Sequence, residues 1–600
     1  MPDIKSLPML EFGSLNLKDD VNTMPVTDFV ELLYWYNQKR NSLKKCLGYA
    51  KLHTAGSSSN PIHGLQRLFI GATGYLMVAD STTVKYWSGA TPSGAPTGLE
   101  TSLTSNAETF WAAHRGYIFR QNGTDAPKKW DGANLTTVGI AAPGSSPGYA
   151  ADTGGSLTGI YSYKITFYTS TGESNGCTAS ADHSVSANTI NLNSIPTSAD
   201  GKIVGRKIYR TLANGSDWFY LATIADNATT TYADNNGDSV LDTTIACPIH
   251  NEAMPIGIDI CLHKSRMWVI TPDTVYWSVA NQPWHYDTAE FIEQPGKDDG
   301  SDILRCLPLG DEVMIYKENS IYAMQELASR DEGGGIEYQD FYARKIFGDI
   351  GLVSKRGLVL NGKEHVFVST KGIHMFNGSS LMDIADQIIP LFDYVNNTTI
   401  AVRPTYNSEC ALGFSNDILY FSYPEGSSAT TANKTIAYNF KTQTWFKPPT
   451  PATRIFARFF EHGDEERIYC GDSASTGFVY RLNYGEDAAG SDFKAILETK
   501  KIGSKELQAA NAKFNFHFLG LQAECSSDTG ILDIFYKREW DSSWKRLGKF
   551  IPNNYKDNRK TLKFRNTLSP SLQIRIECDG QESDITLQGM VLGYSVEGQI

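Results

Sequence analysis

Short apolar and aromatic β-units recur along this chain at intervals of about 35–50 residues, and that periodicity leaves few folds open to it. The clearest pair runs from Thr274 to Met324. Val275-Tyr276-Trp277-Ser278 leads into a loop with Pro283-Trp284. Glu312–Lys317 and Ser320–Met324 then form a hairpin around the polar turn Lys317-Glu318-Asn319-Ser320. Comparable units lie at 65–87, 116–132, 266–270, 365–378, 410–439 and 455–482, with Gly, Asn or Asp turns between short strands. A series of about seven such units reads as an all-β chain built on a β-propeller.

Two stretches break the rhythm. Ala141–Gly148 is a Pro/Gly/Ser linker, and the run after it alternates: Tyr161, Tyr163, Ile165 and Phe167 on one face, Ser162, Lys164 and Thr166 on the other. With strands expected near 188–192, 202–211 and 217–225, residues 141–247 read as an inserted β-sandwich of fibronectin type III-like character. The tail, 487–600, alternates in Lys513–Phe518 and Leu572–Ile576 and reads as a second β-sandwich. The propeller therefore divides into 61–140 and 248–486. Residues 1–60 read as an N-terminal arm with a short helix: Thr27 suits an N-cap, and Phe29, Leu32, Leu33 and Tyr36 fall at i, i+3, i+4 and i+7. The basic run Lys39-Arg40 to Lys44-Lys45 then reads as a solvated helix end.

Six hundred residues exceed what one core fills, so several domains are expected. The formal net charge of −12 argues against a sequence-reading DNA binder, which carries a basic face. The start MPDIKSLPML lacks the pattern of a secretory signal, and no apolar run approaches the ~18 residues needed to span a bilayer, so no stable membrane association is expected. Nine scattered cysteines without a Cys-x-x-Cys pair read as buried free thiols in a chain made in a reducing cytoplasm.

The motifs that could carry chemistry each have a plainer reading. Gly144-Ser145-Ser146-Pro147-Gly148 matches a nucleophile elbow in letters but sits in the linker. Ser526-Ser527-Asp528-Thr529-Gly530 begins like a sialidase Asp-box and lacks its completion. Asp234-Asn235-Asn236-Gly237-Asp238 with Asp242 suggests a calcium loop without the required spacing. Cys247–His250 and Cys261–His263 match no standard zinc spacing. Trp130-Asp131 and Trp540-Asp541 are lone dipeptides, and Asp298-Asp299 and Asp331-Glu332 read as solvated loop carboxylates. Lys500-Lys501 and Arg559-Lys560, Lys563 and Arg565 are the best polyanion candidates, with exposed strand faces as the plainer reading. No residue supports a catalytic, cofactor-binding or metal-ligating assignment, and no enzyme or cofactor is expected.

The order of motifs carries a resemblance. Cys46-Leu47-Gly48-Tyr49-Ala50-Lys51-Leu52 is similar to the entry segment of phage tail hub proteins. Tyr276-Trp277-Ser278, Pro283-Trp284, Phe291-Ile292 and Asp298-Asp299-Gly300-Ser301-Asp302-Ile303 look like their central blade. Lys371–Gly378 followed by Ile384-Ala385-Asp386-Gln387-Ile388 looks like the next. Over about 46–140 and 250–480 the chain resembles the tail nozzle, or tail hub, proteins of short-tailed bacteriophages. The resemblance implies a structural virion protein: a homo-hexameric ring below the head-to-tail adaptor that prolongs the DNA ejection channel. It also implies attachment of tail fibres or spikes and passage of double-stranded DNA through the lumen without sequence recognition. The alternative is a host-surface glycan-binding β-propeller, with Trp87, Trp130 or Trp284 stacking on sugars; buried core aromatics are the plainer reading of all three.

Overall fold

The computed structural model describes residues 3–53, 60–89, 92–331, 337–460, 466–474, 476–526, 530–579 and 584–599. These residues are all-β: strands dominate, and helix is confined to five short 3-10 segments. The chain divides into two compact units. One comprises Met1–Glu108, Glu318–Ser320 and Phe347–Ile600; the other comprises Thr109–Lys317 and Ile321–Ile346.

Among the described residues, seven four-stranded antiparallel meanders carry the repeat. Sheet 1 is Ile62–Ile70, Thr73–Asp80, Thr83–Ser88 and Thr97–Glu100. Sheet 2 is Phe110–His114, Tyr117–Gln121, Lys128–Trp130 and Leu135–Thr137. Sheet 3 is Asp259–His263, Arg266–Ile270, Val275–Trp277 and Ile292–Glu293. Sheet 4 is Ile303–Leu309, Glu312–Lys317, Ile321–Asp331 and Glu337–Phe347. Sheet 5 is Leu358–Asn361, Glu364–Ser369, Gly372–Phe376 and Leu381–Asp383. Sheet 6 is Ala411–Ser415, Ile418–Tyr423, Lys434–Asn439 and Thr444–Phe446. Sheet 7 is Thr453–Phe460, Glu466–Asp472 and Val479–Leu482, completed by Tyr49–Lys51. Local turn chemistry sets several of these hairpins. Arg115-Gly116, Lys264-Ser265 and Asn416-Asp417 each hold two consecutive residues at positive φ, the geometry of a two-residue loop whose twist matches the strands it joins.

Neighbouring sheets share their cores. In the first unit Ile62, Leu76 and Trp87 of sheet 1 pack with Ile455, Tyr469 and Val479 of sheet 7. In the second, Trp268 and Trp277 of sheet 3 pack with Ile315 and Tyr322 of sheet 4, and Ile260 and Val269 of sheet 3 with Phe110 and Phe119 of sheet 2. The first strands run side by side in the order 5, 6, 7, 1 in one unit and 2, 3, 4 in the other.

The insert belongs wholly to the second unit. Gly148–Tyr149, Thr153–Tyr161, His183–Asn193 and Tyr232–Asp234 form one sheet; Tyr163–Tyr168, Gly205–Thr211, Trp218–Ile224 and Asp242–Ala246 form another. Leu157, Tyr161, Ile190 and Leu192 from the first meet Tyr163, Ile165, Ile208 and Leu221 from the second in one core. The chain crosses between sheets at Ser162, where Tyr161 pairs with His183 and Tyr163 with Arg210.

The start of the chain is strand, not a helical arm. Phe29–Leu33 pairs with Ala495–Thr499, and Trp35–Lys39 forms a hairpin with Ser42–Lys45. A bulge between Phe29 and Glu31 advances the strand by one residue, so Phe29 and Leu32 both face the core. That reproduces a helical spacing on an extended chain. Tyr34, at φ 62°, turns the backbone between the two strands. Lys45 is fully buried, its ammonium 4.9 Å from the Phe493 ring, and Lys44 pairs with Asp584 at 2.9 Å. The basic run therefore spans the turn and second strand of a hairpin rather than a helix end.

The terminal sandwich draws on both ends of the chain. One sheet orders Trp35–Lys39, Ser42–Lys45, Thr586–Gln599, Ala512–Glu524 and Arg559–Ser569, with Lys5–Met9 also on Thr586–Gln599. The other orders Phe29–Leu33, Ala495–Thr499, Leu572–Cys578, Leu532–Arg538 and Lys545–Phe550. Residues 487–600 are therefore only part of this module.

Candidate functional site

The motifs tested for chemistry resolve into internal clamps. The acidic loop at 234–238 holds an arginine. Arg210, fully buried, donates from Nη1 to Asp234 Oδ2 at 2.7 Å and to the Asn236 carbonyl at 2.6 Å, and from Nη2 to Asp238 Oδ1 at 2.9 Å. The remaining oxygens accept the backbone N–H groups of Asn236 and Ala213. Asp242 accepts from Thr244. Lys500, also fully buried, donates to the carbonyls of Asn22 and Met24 and to Glu506, so it offers no charge to a polyanion; Lys501 pairs with Glu539. Lys563 and Arg565 lie on the exposed face of an alternating strand. Asp299 accepts from the buried Lys317 ammonium, which also binds the Pro295 and Gly296 carbonyls and so pins the loop ahead of sheet 4. Asp541 is held by Arg538 and Lys545, while Trp540 is exposed. Ser145 lies in an extended linker with no helix after it. Residues 527–529 of the Asp-box match, and Glu332, lie outside the described residues. The cysteines are free thiols, all buried except the half-buried Cys525.

His250 has carboxylate neighbours that its sequence context did not reveal. Its Nδ1 lies 2.6 Å from Asp287 Oδ2, and Glu290 completes a group whose ligand atoms all fall within 4.8 Å of one another. These residues could hold a divalent cation. Asp287 has a structural role as well: its Oδ1 accepts the backbone N–H groups of Ala289 and Glu290 at 2.8 Å each, shaping the turn before Phe291. Cys247, close in sequence, does not join this group; Cys261 sits in the core of sheets 3 and 4, and His263 contacts the Asp311 carbonyl.

Of the three tryptophans considered for stacking, Trp87 and Trp130 are buried. Trp87 donates its indole N–H to the Gly94 carbonyl. Trp284 lines a cleft of about 290 Å³ in the second unit, between sheet 2 and the insert. Tyr117, Lys129, Asp131 and Asn134 come from sheet 2 and its turns, and Thr169–Gly172 and Lys202 from the insert. The Lys129 ammonium lies 4.7 Å from the Tyr117 ring and 4.8 Å from the Trp284 ring. Burial, reinforced by Lys202, lowers the Lys129 pKa. His285, 7% exposed, donates from Nδ1 to Gln282 Oε1, which leaves the lone pair of the neutral ring on Nε2; among the described residues that nitrogen has no partner. Gly172 keeps the wall open: a Cβ there would lie 3.3 Å from both His285 Nε2 and Trp284 Nε1.

The first unit has a larger, polar cavity of about 450 Å³ beside Glu31, Tyr423, Lys447, Glu498 and Arg575. Its carboxylates are paired, Glu31 with Lys447 at 3.0 Å and Glu498 with Arg575 at 3.0 Å. Burial raises the Glu498 pKa against the pull of Arg575. Elsewhere in this unit Arg356 and Arg454 interleave with Glu108 and Glu409 (Arg356–Glu108 3.0 Å, Arg454–Glu409 2.7 Å). His63 is buried near them.

Two imidazoles give the protein an acid sensitivity. Burial, then the charges of Arg454 and Arg356, lowers His63 to about 4; burial, then Lys129, lowers His285 to about 4. An unfolded chain takes up these protons near pH 6.5 and the folded one only near 4. Their stabilisation is therefore complete above pH ~6.5 and is lost as pH falls toward 4, by roughly 3 kcal/mol per histidine. Thermal unfolding followed from pH 7 to 4.5 should show this loss, and His63→Leu should flatten the curve.

No family model and no curated protein matches this chain. Among solved structures it is similar to YCF48 bound to a D1 peptide (7% identity, TM-score 0.33, covering 72% of this chain and 95% of that one). Others are Saccharomyces cerevisiae Sqt1 (9%, 0.31, 73% and 99%) and the WD40 β-propeller domain of Doa1 (7%, 0.31, 72% and 96%).

Proposed function

We propose that this protein is a structural subunit of a bacteriophage tail, one of a ring of about six copies around the channel through which DNA leaves the head. On this reading the seven meanders are the blades of one β-propeller, the insert is a fibronectin type III-like outer module, and fibres or spikes attach outside the ring. The observation that carries the reading is the position of the segment with the tail-hub resemblance. Tyr49–Lys51 supplies the strand that completes sheet 7, so the motif has an architectural use. The other shared motifs are of the same kind: Asp298–Ile303 forms the pinned loop leading into sheet 4, and Lys371–Gly378 holds the third strand of sheet 5 and its turns. The net charge of −12 suits a conduit, because each phosphate contact would add salt-dependent affinity for passing DNA.

The test is the mass of the purified protein, alone and after mixing with DNA-filled heads lacking tails. A ring of about six subunits, or capture onto the heads, is expected. A monomer that ignores heads would overturn the reading.

A further inference from the structure

Charge in this chain is segregated onto one edge of the terminal sandwich. Residues 543–570 hold eight Lys and Arg against one Asp, a net of +7, which leaves −19 for the rest of a chain at −12. The segment supplies Lys545–Phe550 and Arg559–Ser569, each the last strand in the order of its sheet, so both open edges on this side of the sandwich are basic. The two strands lie against each other, with the Lys560 ammonium donating to the Lys549 carbonyl at 2.6 Å. Lys545 and Arg546 pair with Asp541 and Asp533. Lys549, Lys556, Lys563 and Arg565 are exposed, and among the described residues none has a carboxylate partner. A charge or two on an edge discourages stray strand pairing; this edge carries far more.

The insert has an open edge of the opposite sign. From 211 to 263 the chain holds seven Asp and Glu and no Lys or Arg. Asp242–Ala246 is the last strand of its sheet and is exposed at every residue. Asp217 and Asp242 are exposed there with no cation partner among the described residues, and Val240 and Ile245 are exposed beside them. Copies of a chain at −12 repel one another, and a ring joins two different surfaces of each copy. We propose, resting on the ring assembly proposed for this protein, that the basic edge of the terminal sandwich of one copy docks on the acidic edge of the inserted sandwich of the next.

The test is sedimentation of two charge-reversed full-length variants, alone and mixed. One carries Lys549→Glu, Lys556→Glu, Lys563→Glu and Arg565→Glu. The other carries Asp217→Lys, Ser239→Lys and Thr243→Lys, all at exposed positions, and keeps the turn in which Asp242 accepts from Thr244. Each alone should associate at least about tenfold more weakly than the wild type, because like charges then face each other. An equal mixture should regain wild-type association, since each edge meets its opposite on the other variant. Wild-type association should weaken between about 0.1 and 1 M salt, as the screening length falls from about 10 to 3 Å. Variants that fold and assemble like the wild type would overturn this contact and leave the ring standing; a wild type that is monomeric at every salt would overturn both. A mixture that stays dissociated would overturn the pairing of these two edges. So would a short labelled DNA duplex that binds the wild type and not the fourfold variant while both sediment alike, which would make the edge a site for phosphate.

Discussion

Asp234→Ala is expected to unfold the inserted sandwich while leaving the meanders beside it paired. The carboxylate and the Arg210 guanidinium are both fully buried. Tyr163, also buried, donates its hydroxyl to the same Asp234 oxygen at 2.8 Å. Removing the carboxylate takes away the one fully buried counter-charge of Arg210, leaving it the part-exposed Asp238 and the Asn236 carbonyl, and orphans a phenol. Breaking a buried pair from one side costs about 3–5 kcal/mol, a large share of what a module of this size has in hand. Hydrogen exchange on the intact chain should show protection lost across Tyr163–Tyr168 and Gly205–Thr211 and retained in sheet 3. The double change Arg210→Met with Asp234→Leu should recover about 2 kcal/mol or more of the loss, since it removes both charges together. If the single change leaves exchange unaltered, the pair does not hold the module.

The second large effect is expected from one added methyl group. In Gly48→Ala the new Cβ would fall 1.8 Å from the Asp487 carbonyl oxygen and 2.6 Å from its carbon. Both atoms are backbone, so no side-chain rotation relieves the clash. The strands meet here closely: Gly48 donates to the Gly485 carbonyl, Tyr484 donates to that of Gly48, and Tyr49 donates to that of Asp487. The segment 484–487 must withdraw, taking with it the register Tyr480–Lys51, Arg481–Ala50 and Leu482–Tyr49. Forcing atoms into a packed site costs about 1–3 kcal/mol and more where backbone must move. Exchange protection of the Val479–Leu482 amides should fall by roughly 100-fold, the equivalent of about 3 kcal/mol. A variant with unchanged protection would mean that sheet 7 does not need its fourth strand.

How far the sequence exposed the fold depended on the distance to each strand's partner. Ile418–Tyr423 pairs with strands that flank it in the chain, so alternation and turn residues specified it locally. Leu32 pairs with Leu497, and its helical spacing came from a bulge that only a remote partner reveals. The same distinction governs the cleft. Trp284 was visible as an aromatic in a loop. His285 and Lys129 had no local signal, because their use depends on the Thr169–Gly172 turn approaching from another module. The acidic loop at 234–238 was legible as a set of oxygens, but its partner, Arg210, lies in a strand more than twenty residues away.

The lacing of both chain ends into shared sheets also sets a schedule for synthesis. Strands made early, Phe29–Leu33 and Ser42–Lys45, pair with Ala495–Thr499 and Thr586–Gln599, which are made more than 450 residues later. At about 5–20 residues per second, the early segments wait on the order of half a minute to two minutes with their edges bare. A ribosome that stops early releases a chain whose opening strands have nothing to close on. This module therefore closes only once translation has passed its late strands.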